Sequence, residues 1–221
     1  MLASAVQAAP LILDRDATSW LPAPHVEVLE DPQQALTLDD VTGTPHAFHP
    51  PGRYGKGDEA LNFGYSTSAW WLRLEMDNPG AAQRLLLEIS YPSLDRVELY
   101  APAAQGWQRA EAGDLQPFAE RPFAHRNLVF PMQVENGPQT FYLRVTSEGS
   151  LTVPLQLWQP AAFEQHNQQR YVLLALYFGM LLALAAYNLL LYLSLRERVY
   201  LVYVAFVTTL AIGLLSLSGL G

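Results

Sequence analysis

The chain has 221 residues, a formal net charge of −8, 50% hydrophobic residues and no cysteine. The lack of cysteine excludes a disulfide-stapled scaffold and any thiol nucleophile or thiolate metal site. The acidic balance excludes the basic surface on which nucleic-acid binding rests.

The chain opens with LASAVQAAP, in which Val6-Gln7-Ala8 ahead of Ala9-Pro10 fits the small-residue rule for cleavage of a secretory signal. Residues 1–8 therefore read as the remnant of a signal peptide whose basic start and apolar core are missing. Residues 9–160 carry most of the negative charge: residues 171–221 contribute +1, which leaves −9 for residues 1–170. A domain of this length builds an ordinary hydrophobic core without staples.

Its strands show period-two alternation, taken here in chain order. His25–Glu30 alternates cleanly. Thr37-Leu38-Asp39-Asp40 has the spacing of a capping box and predicts one short helix. Residues 45–58 (PHAFHPPGRYGKGD) are too rich in Pro and Gly for regular structure and read as a long loop. In Trp70–Met76, one face takes Trp70, Leu72, Leu74 and Met76, and the other takes Trp71, Arg73 and Glu75. Further runs follow at Arg84–Ile89, Arg96–Tyr100, Trp107–Ala110, Asn127–Val134, Thr140–Thr146 and Thr152–Trp158. Turn signals at Asn78-Pro79-Gly80 and Asn136-Gly137-Pro138 separate them. The pattern predicts a mainly β domain, an antiparallel sandwich or jelly roll. A polar connector helix over residues 161–170 leads onward.

From Tyr171 to Leu193 there is no charged residue, and the same holds from Val199 to Leu220. A bilayer core about 30 Å thick needs about 20 apolar residues in a helix, so each run is long enough to span. The tip between them, Ser194 to Arg198, carries Arg196 and Arg198 against Glu197. Short basic loops stay cytoplasmic, which puts the tip inside and residues 9–160 outside. For a bacterial inner membrane that places the β domain in the periplasm. In the first span Gly179 and Ala183 form a small-residue face for close helix packing. Asn188 is expected to hydrogen-bond a neighbouring helix. The stop at Gly221, directly after the second span, reads as a truncation with any output domain beyond it.

Several segments resemble the extracellular sensor domain of bacterial seven-transmembrane receptors with diverse intracellular signalling modules. They are NFGYSTSAWWLRLEMDNP (Asn62–Pro79), LLLEISYPSLDRVELY (Leu85–Tyr100), GDLQPFAERPFAHRNLVFPM (Gly113–Met132) and FYLRVTSEGSLTVPLQLW (Phe141–Trp158). The following LYFGMLLALAAYNLLLYLSLRERVYLVYV (Leu176–Val204) is similar to the start of that family's membrane unit. The resemblance implies a jelly roll like a carbohydrate-binding module outside, seven helices, and a cytoplasmic histidine kinase, diguanylate cyclase or phosphatase.

Two groups of residues are candidates for a ligand. Trp71, Arg73, Tyr100, Tyr142 and Arg144 point away from the side that carries Leu72, Val97, Leu143 and Val145. Aromatic rings beside charged donors suit a sugar, whose CH face stacks while polar groups hold its hydroxyls. The same alternation also fits an ordinary charged outer face, with Arg73, Glu75, Glu88, Arg96 and Glu98 pairing across strands. The second group is Asp114, Arg121, His125 and Arg126, three possible cations and an acid in a loop that enters a strand. They either meet an anionic or hydroxyl-rich ligand or pin the loop internally.

His46 and His49 have metal-like spacing, but Pro45, Pro50 and Pro51 exclude the helix that would align them, and zinc needs three or four ligands. Oxygen donors at Asp39, Asp40, Asp58 and Glu59 leave calcium open without an EF-hand loop; no other cofactor is implied. No GxSxG, HExxH or P-loop is present, so nothing points to an enzyme in this segment. The leading expectation is the sensory front of a receptor. Its partners would be a small-molecule or glycan ligand, the lipid bilayer and, as a homodimer, a second copy. The rival is a membrane-anchored envelope binding or assembly module without signalling output.

Overall fold

The computed structural model describes residues 8–43, 48–56 and 59–217. The expected cleavage site at residues 6–8 falls almost wholly outside this set, as do His46 and Asp58. The chain divides into two compact units at Ala162/Phe163.

The first unit is a sandwich of two six-stranded sheets. One sheet runs β1 (Leu11–Ile12), β6 (Ala69–Asn78), β11 (Gly137–Thr146), β8 (Arg96–Pro102), β9 (Trp107–Ala112), with β3 (Val26–Asp31) also on β6. The other runs β10 (Leu128–Val134), β7 (Gln83–Ile89), β12 (Ser150–Trp158), β5 (Ala60–Tyr65), β4 (Gly55–Lys56), with β2 (Ser19–Trp20) on β12. All pairings are antiparallel except β1 with β6. From β9 onward the chain alternates between sheets, β10 and β12 in one and β11 in the other, which is the jelly-roll habit.

The alternation explains the core. Trp70, Leu72, Leu74 and Met76 of β6 point inward with Val26 and Val28 of β3 and Phe141, Leu143 and Val145 of β11. Facing them are Leu85, Leu87 and Ile89 of β7, Phe130 and Met132 of β10, and Val153, Leu155 and Leu157 of β12. Each such side chain contributes roughly 1.5–3 kcal/mol by leaving water.

The long loop expected over residues 45–58 is shorter than that. Gly52–Tyr54 makes one tight helical turn, Gly55–Lys56 pairs with β5, and His49 bridges Val28. The capped helix is present as α1 (Leu38–Gly43). The Asp40 carboxylate accepts from the Thr37 amide at 2.8 Å and from its hydroxyl at 2.6 Å, and Thr37 Oγ1 accepts from the Asp40 amide at 3.3 Å.

The second unit is helical. Connector and first span form one helix, α2 (Pro160–Leu195, 36 residues), about 54 Å long at 1.5 Å per residue. Residues 196–197 turn the chain, with Arg196 at φ 55°, into α3 (Arg198–Leu217). Both helices are long and apolar enough to cross a membrane. Asn188 Nδ2 donates to Leu184 O of its own helix at 2.9 Å. Thr208 and Thr209 do the same in α3, to Val204 O and Ala205 O. A polar group surrounded by apolar side chains satisfies itself on the nearest carbonyl, four residues back.

Candidate functional site

The outward face of the β6 sheet carries two ladders that follow from strand register. One runs Leu29, Trp71, Arg144, Glu98, Glu111 across β3, β6, β11, β8 and β9. The next runs Glu27, Arg73, Tyr142, Tyr100, Arg109. All five residues read from sequence as outward-facing are here and point outward.

Their exposure corrects the reading. Trp71 is 1% exposed and Tyr142 7%, because Val41 of α1, Phe48 and the partly buried Leu36 and Leu38 lie over them as a second, smaller core. Phe48 packs on Tyr142 with ring centres 6.1 Å apart, and the Arg73 guanidinium lies 4.8 Å from the Phe48 ring. Trp71 stacks on Tyr100 at 5.7 Å. A ring enclosed in this way presents no free face to a sugar.

The charges on this face are largely spent on each other. Arg73 pairs with Glu27, and with Glu75 at 3.9 Å. Glu98 is bridged by Arg109 and by Arg144 at 3.1 Å, while Glu111 pairs with Arg109 and with Arg96 at 2.7 Å. Burial, and next the Glu98 carboxylate, push the Tyr100 hydroxyl above its ordinary pKa; burial does the same at Tyr142. At Arg109 burial acts downward, but Glu98 and Glu111 outweigh it and hold the guanidinium above its usual value.

The 113–126 loop also turns inward. A Cβ at Gly113 would collide with the Asp95 carbonyl, so glycine alone allows this close approach. The Asp114 amide donates to Leu94 O at 2.8 Å. Arg121 Nη1 donates to His125 O at 3.1 Å and Arg126 O at 3.3 Å, and its guanidinium sits 5.1 Å over Phe118. His125 is buried, and its Nδ1 accepts from the Asn127 amide at 3.1 Å. Arg121 therefore holds its own loop.

Glu88 does not join the charged outer face. It is 1% exposed on the other sheet, where Oε1 accepts from Asn127 Nδ2 at 2.6 Å and Oε2 from Trp158 Nε1 at 2.9 Å. Among the described residues, no three or more His, Asp or Glu side chains converge as metal ligands.

An open cleft of about 660 Å³ lies at the end of the sandwich where β12 begins, away from Trp158, and a second of about 450 Å³ lies between Asp14–Arg15 and Asn78–Gln83. Gln34, Thr67, Arg96, Glu111, Gln116 and Ser147 are among the lining residues of the larger, end cleft. Gln34, at φ 55°, donates to Thr67 O at 2.8 Å. Asp95 accepts from the Glu148 amide at 2.8 Å, which joins the two turns below the cleft. Arg144 reaches Gln34 O at 3.5 Å, linking the ladder to the cleft. Beyond the cleft an exposed strip of β9 leads along Arg109 to Trp107, whose ring meets Tyr142 edge-on at 5.3 Å. Of the sequence candidates, only Arg144 and the start of the loop at Asp114 adjoin this cleft. Arg96, Glu111 and Thr146 line it from strand ends, and the other lining residues lie in turns, where no periodicity marks them; the clusters Ser93-Leu-Asp95 and Ser147-Glu-Gly149 were the available signal.

Comparison with known proteins bears on the whole chain. Three solved structures are remotely alike. The C-terminal CBM6 of LamC, a marine laminarinase from Zobellia galactanivorans, has 13% identity over 49% of this chain and 95% of its own, with TM-score 0.29. TmCBM61 in complex with beta-1,4-galactotriose has 14% identity over 61% and 88%, with TM-score 0.33. CsCBM6-3 from Clostridium stercorarium in complex with cellobiose has 10% identity over 49% and 88%, with TM-score 0.25. Likeness this remote carries no argument about ligand. No curated protein matches the chain. Family models are decisive: residues 23–159 match the one described as 7TMR-DISM extracellular 2, and residues 170–221 the one described as 7TM diverse intracellular signalling. The sandwich and the two apolar helices meet in that match, and the chain belongs to the 7TMR-DISM family of membrane sensor-receptors.

Proposed function

We propose that residues 9–160 form a periplasmic sensor domain that takes a hydroxyl-rich small molecule or glycan in the end cleft. Its bound state would bias the membrane helices toward a cytoplasmic output domain such as a histidine kinase or diguanylate cyclase. The single observation that carries the ligand site is the cleft itself, open, about 660 Å³ and lined by amide, hydroxyl and charged groups. That volume is in the range of small-molecule sites, and paired Arg96–Glu111 offers donors and acceptors side by side for neighbouring hydroxyls. The strip toward Trp107 extends the site for a longer ligand, with the ring and Arg109 at its far end. Trp71 and Tyr142 act from beneath as the floor that holds Tyr100 and Arg144 in place. A ligand shifts the receptor only by the difference in its affinity for two states of the domain.

The test is glycan-array binding by the detergent-solubilised chain, set beside Arg96→Ala. Its side chain is 51% exposed, so the fold stays intact. A retained glycan whose binding weakens about tenfold or more, the loss of one charge-assisted hydrogen bond, supports the site. Unchanged binding by the variant moves the site elsewhere. Binding of an envelope protein and no saccharide favours the assembly module.

Orientation has its own test, made clean by the absence of cysteine. Thr67→Cys should react with a membrane-impermeant maleimide in cells with a permeabilised outer membrane. Ser194→Cys should react only after lysis. The opposite pattern overturns the periplasmic assignment.

A further inference from the structure

A buried carboxylate on the second sheet has no part in the cleft, yet it ties two distant segments together. Glu88 is the penultimate residue of β7, with Val129 of β10 opposite on one side and Gln156 of β12 on the other. Its two oxygens accept from two neutral donors, Asn127 Nδ2 and Trp158 Nε1. All three residues are nine-tenths or more buried.

Each donor belongs to a different segment of the chain. Asn127 ends the loop that begins at Gly113 and lines the cleft through Leu115 and Gln116. Within that loop Arg121 holds the carbonyls of His125 and Arg126, and the His125 ring receives the Asn127 amide. Trp158 is the last residue of β12, two positions before Pro160 opens α2. Next to it, Gln159 is fixed by its amide to Thr18 O at 2.9 Å and by Nε2 to Ala17 O at 3.2 Å. A hydrogen-bonded line therefore runs from the cleft loop, through Arg121, Asn127 and Glu88, to the strand end from which α2 departs.

The residue type matters. A carboxylate is acceptor-only at both oxygens and can take both donors at once, whereas an amide of the same shape sets its NH2 against one of them. A buried donor that loses its partner is costly, so the two donors share a preference for one arrangement.

We propose that Glu88 is the positioning residue that couples the 113–127 loop to Trp158 and so to the root of α2. The coupling is a property of the domain and needs no ligand; its use in signalling rests on the receptor reading above.

The test is 19F NMR of the full chain labelled with 5-fluorotryptophan in detergent micelles, with the Trp158 resonance assigned by its loss in Trp158→Phe. Arg121→Ala loosens the loop far from the indole. It should displace the Trp158 resonance in the wild-type background, and that displacement should vanish in Glu88→Gln. Asn127→Ala breaks the same line at its other bond and should abolish the effect equally, which keeps the test open if Glu88→Gln fails to fold. A purely structural Glu88 would lower stability while leaving the response to Arg121→Ala unchanged, since independent sites add. Equal displacement with and without Glu88, or none in the wild-type background, overturns the proposal. Because no ligand is used, either result stands apart from the identity of the cleft ligand.

Discussion

The sandwich and the helical hairpin dispose of apolar side chains in opposite ways. In the sandwich, Leu72, Leu74, Leu85 and Leu87 are 0% exposed and face the interior. In the hairpin, Leu173, Leu182 and Val202 are between 67% and 72% exposed, and α2 carries its apolar residues on all sides. Apolar surface left on a helix all round is stable only where the solvent is hydrocarbon, so each region declares its solvent by its pattern. The lesson extends to polar groups. In the sandwich they find partners across strands, as Glu98 does with Arg109 and Arg144; in the helices Asn188, Thr208 and Thr209 turn to their own backbone.

The contrast can be broken by substitution. The largest effect is expected for Trp71→Ala, which empties the second core. About 3–5 kcal/mol of domain stability should go, read as a lower midpoint in urea. A stable variant would mean that Phe48 and Val41 do not cover the face. Somewhat smaller is Leu182→Arg, at the centre of the first span. It should cost about 2.5–3.5 kcal/mol of insertion free energy, measured as the inserted fraction in microsomes; no change would remove α2 from the membrane.

A third effect is set by pH. Tyr100 and Tyr142 have raised pKa values, chiefly from burial, so the unfolded chain loses these protons first as pH rises. Their contribution is complete below the ordinary tyrosine value near 10 and falls away as pH climbs through the higher folded values. Urea midpoints measured from neutral to strongly alkaline pH should therefore fall above about pH 10, and less steeply in Tyr100→Phe. The smallest effect is Leu182→Ala, which keeps the span apolar and should change insertion by under about 0.6 kcal/mol. Its counterpart Leu87→Ala in the sandwich should cost about 2–5 kcal/mol of stability.

Much of the fold was legible in period-two alternation, because side-chain direction is a local property of a strand. The inward set Trp70, Leu72, Leu74 and Met76 needs nothing else. The Thr37–Asp40 cap was legible for the same reason, as its partners lie three residues apart. The site was less so. Trp71 and Tyr142 face outward as alternation dictates, but their burial depends on a segment around Val41 and Phe48 that approaches from elsewhere in the chain. Glu88 reads as one more outer-face charge until Asn127 and Trp158, 39 and 70 positions away, are seen to meet it.

The amino-acid sequence by itself determined eight of the twelve described strands, which face of each is apolar, the short cap and the two uncharged runs, all consequences of patterning within a few residues; β1, β2, β4 and β5 are not among them. Only the tertiary structure decided which outward residues are covered, that the cleft forms where several turns and strand ends converge, and that a carboxylate is sealed between a loop and the end of a strand. Coverage and convergence depend on residues far apart along the chain, and no local pattern encodes which of them will meet.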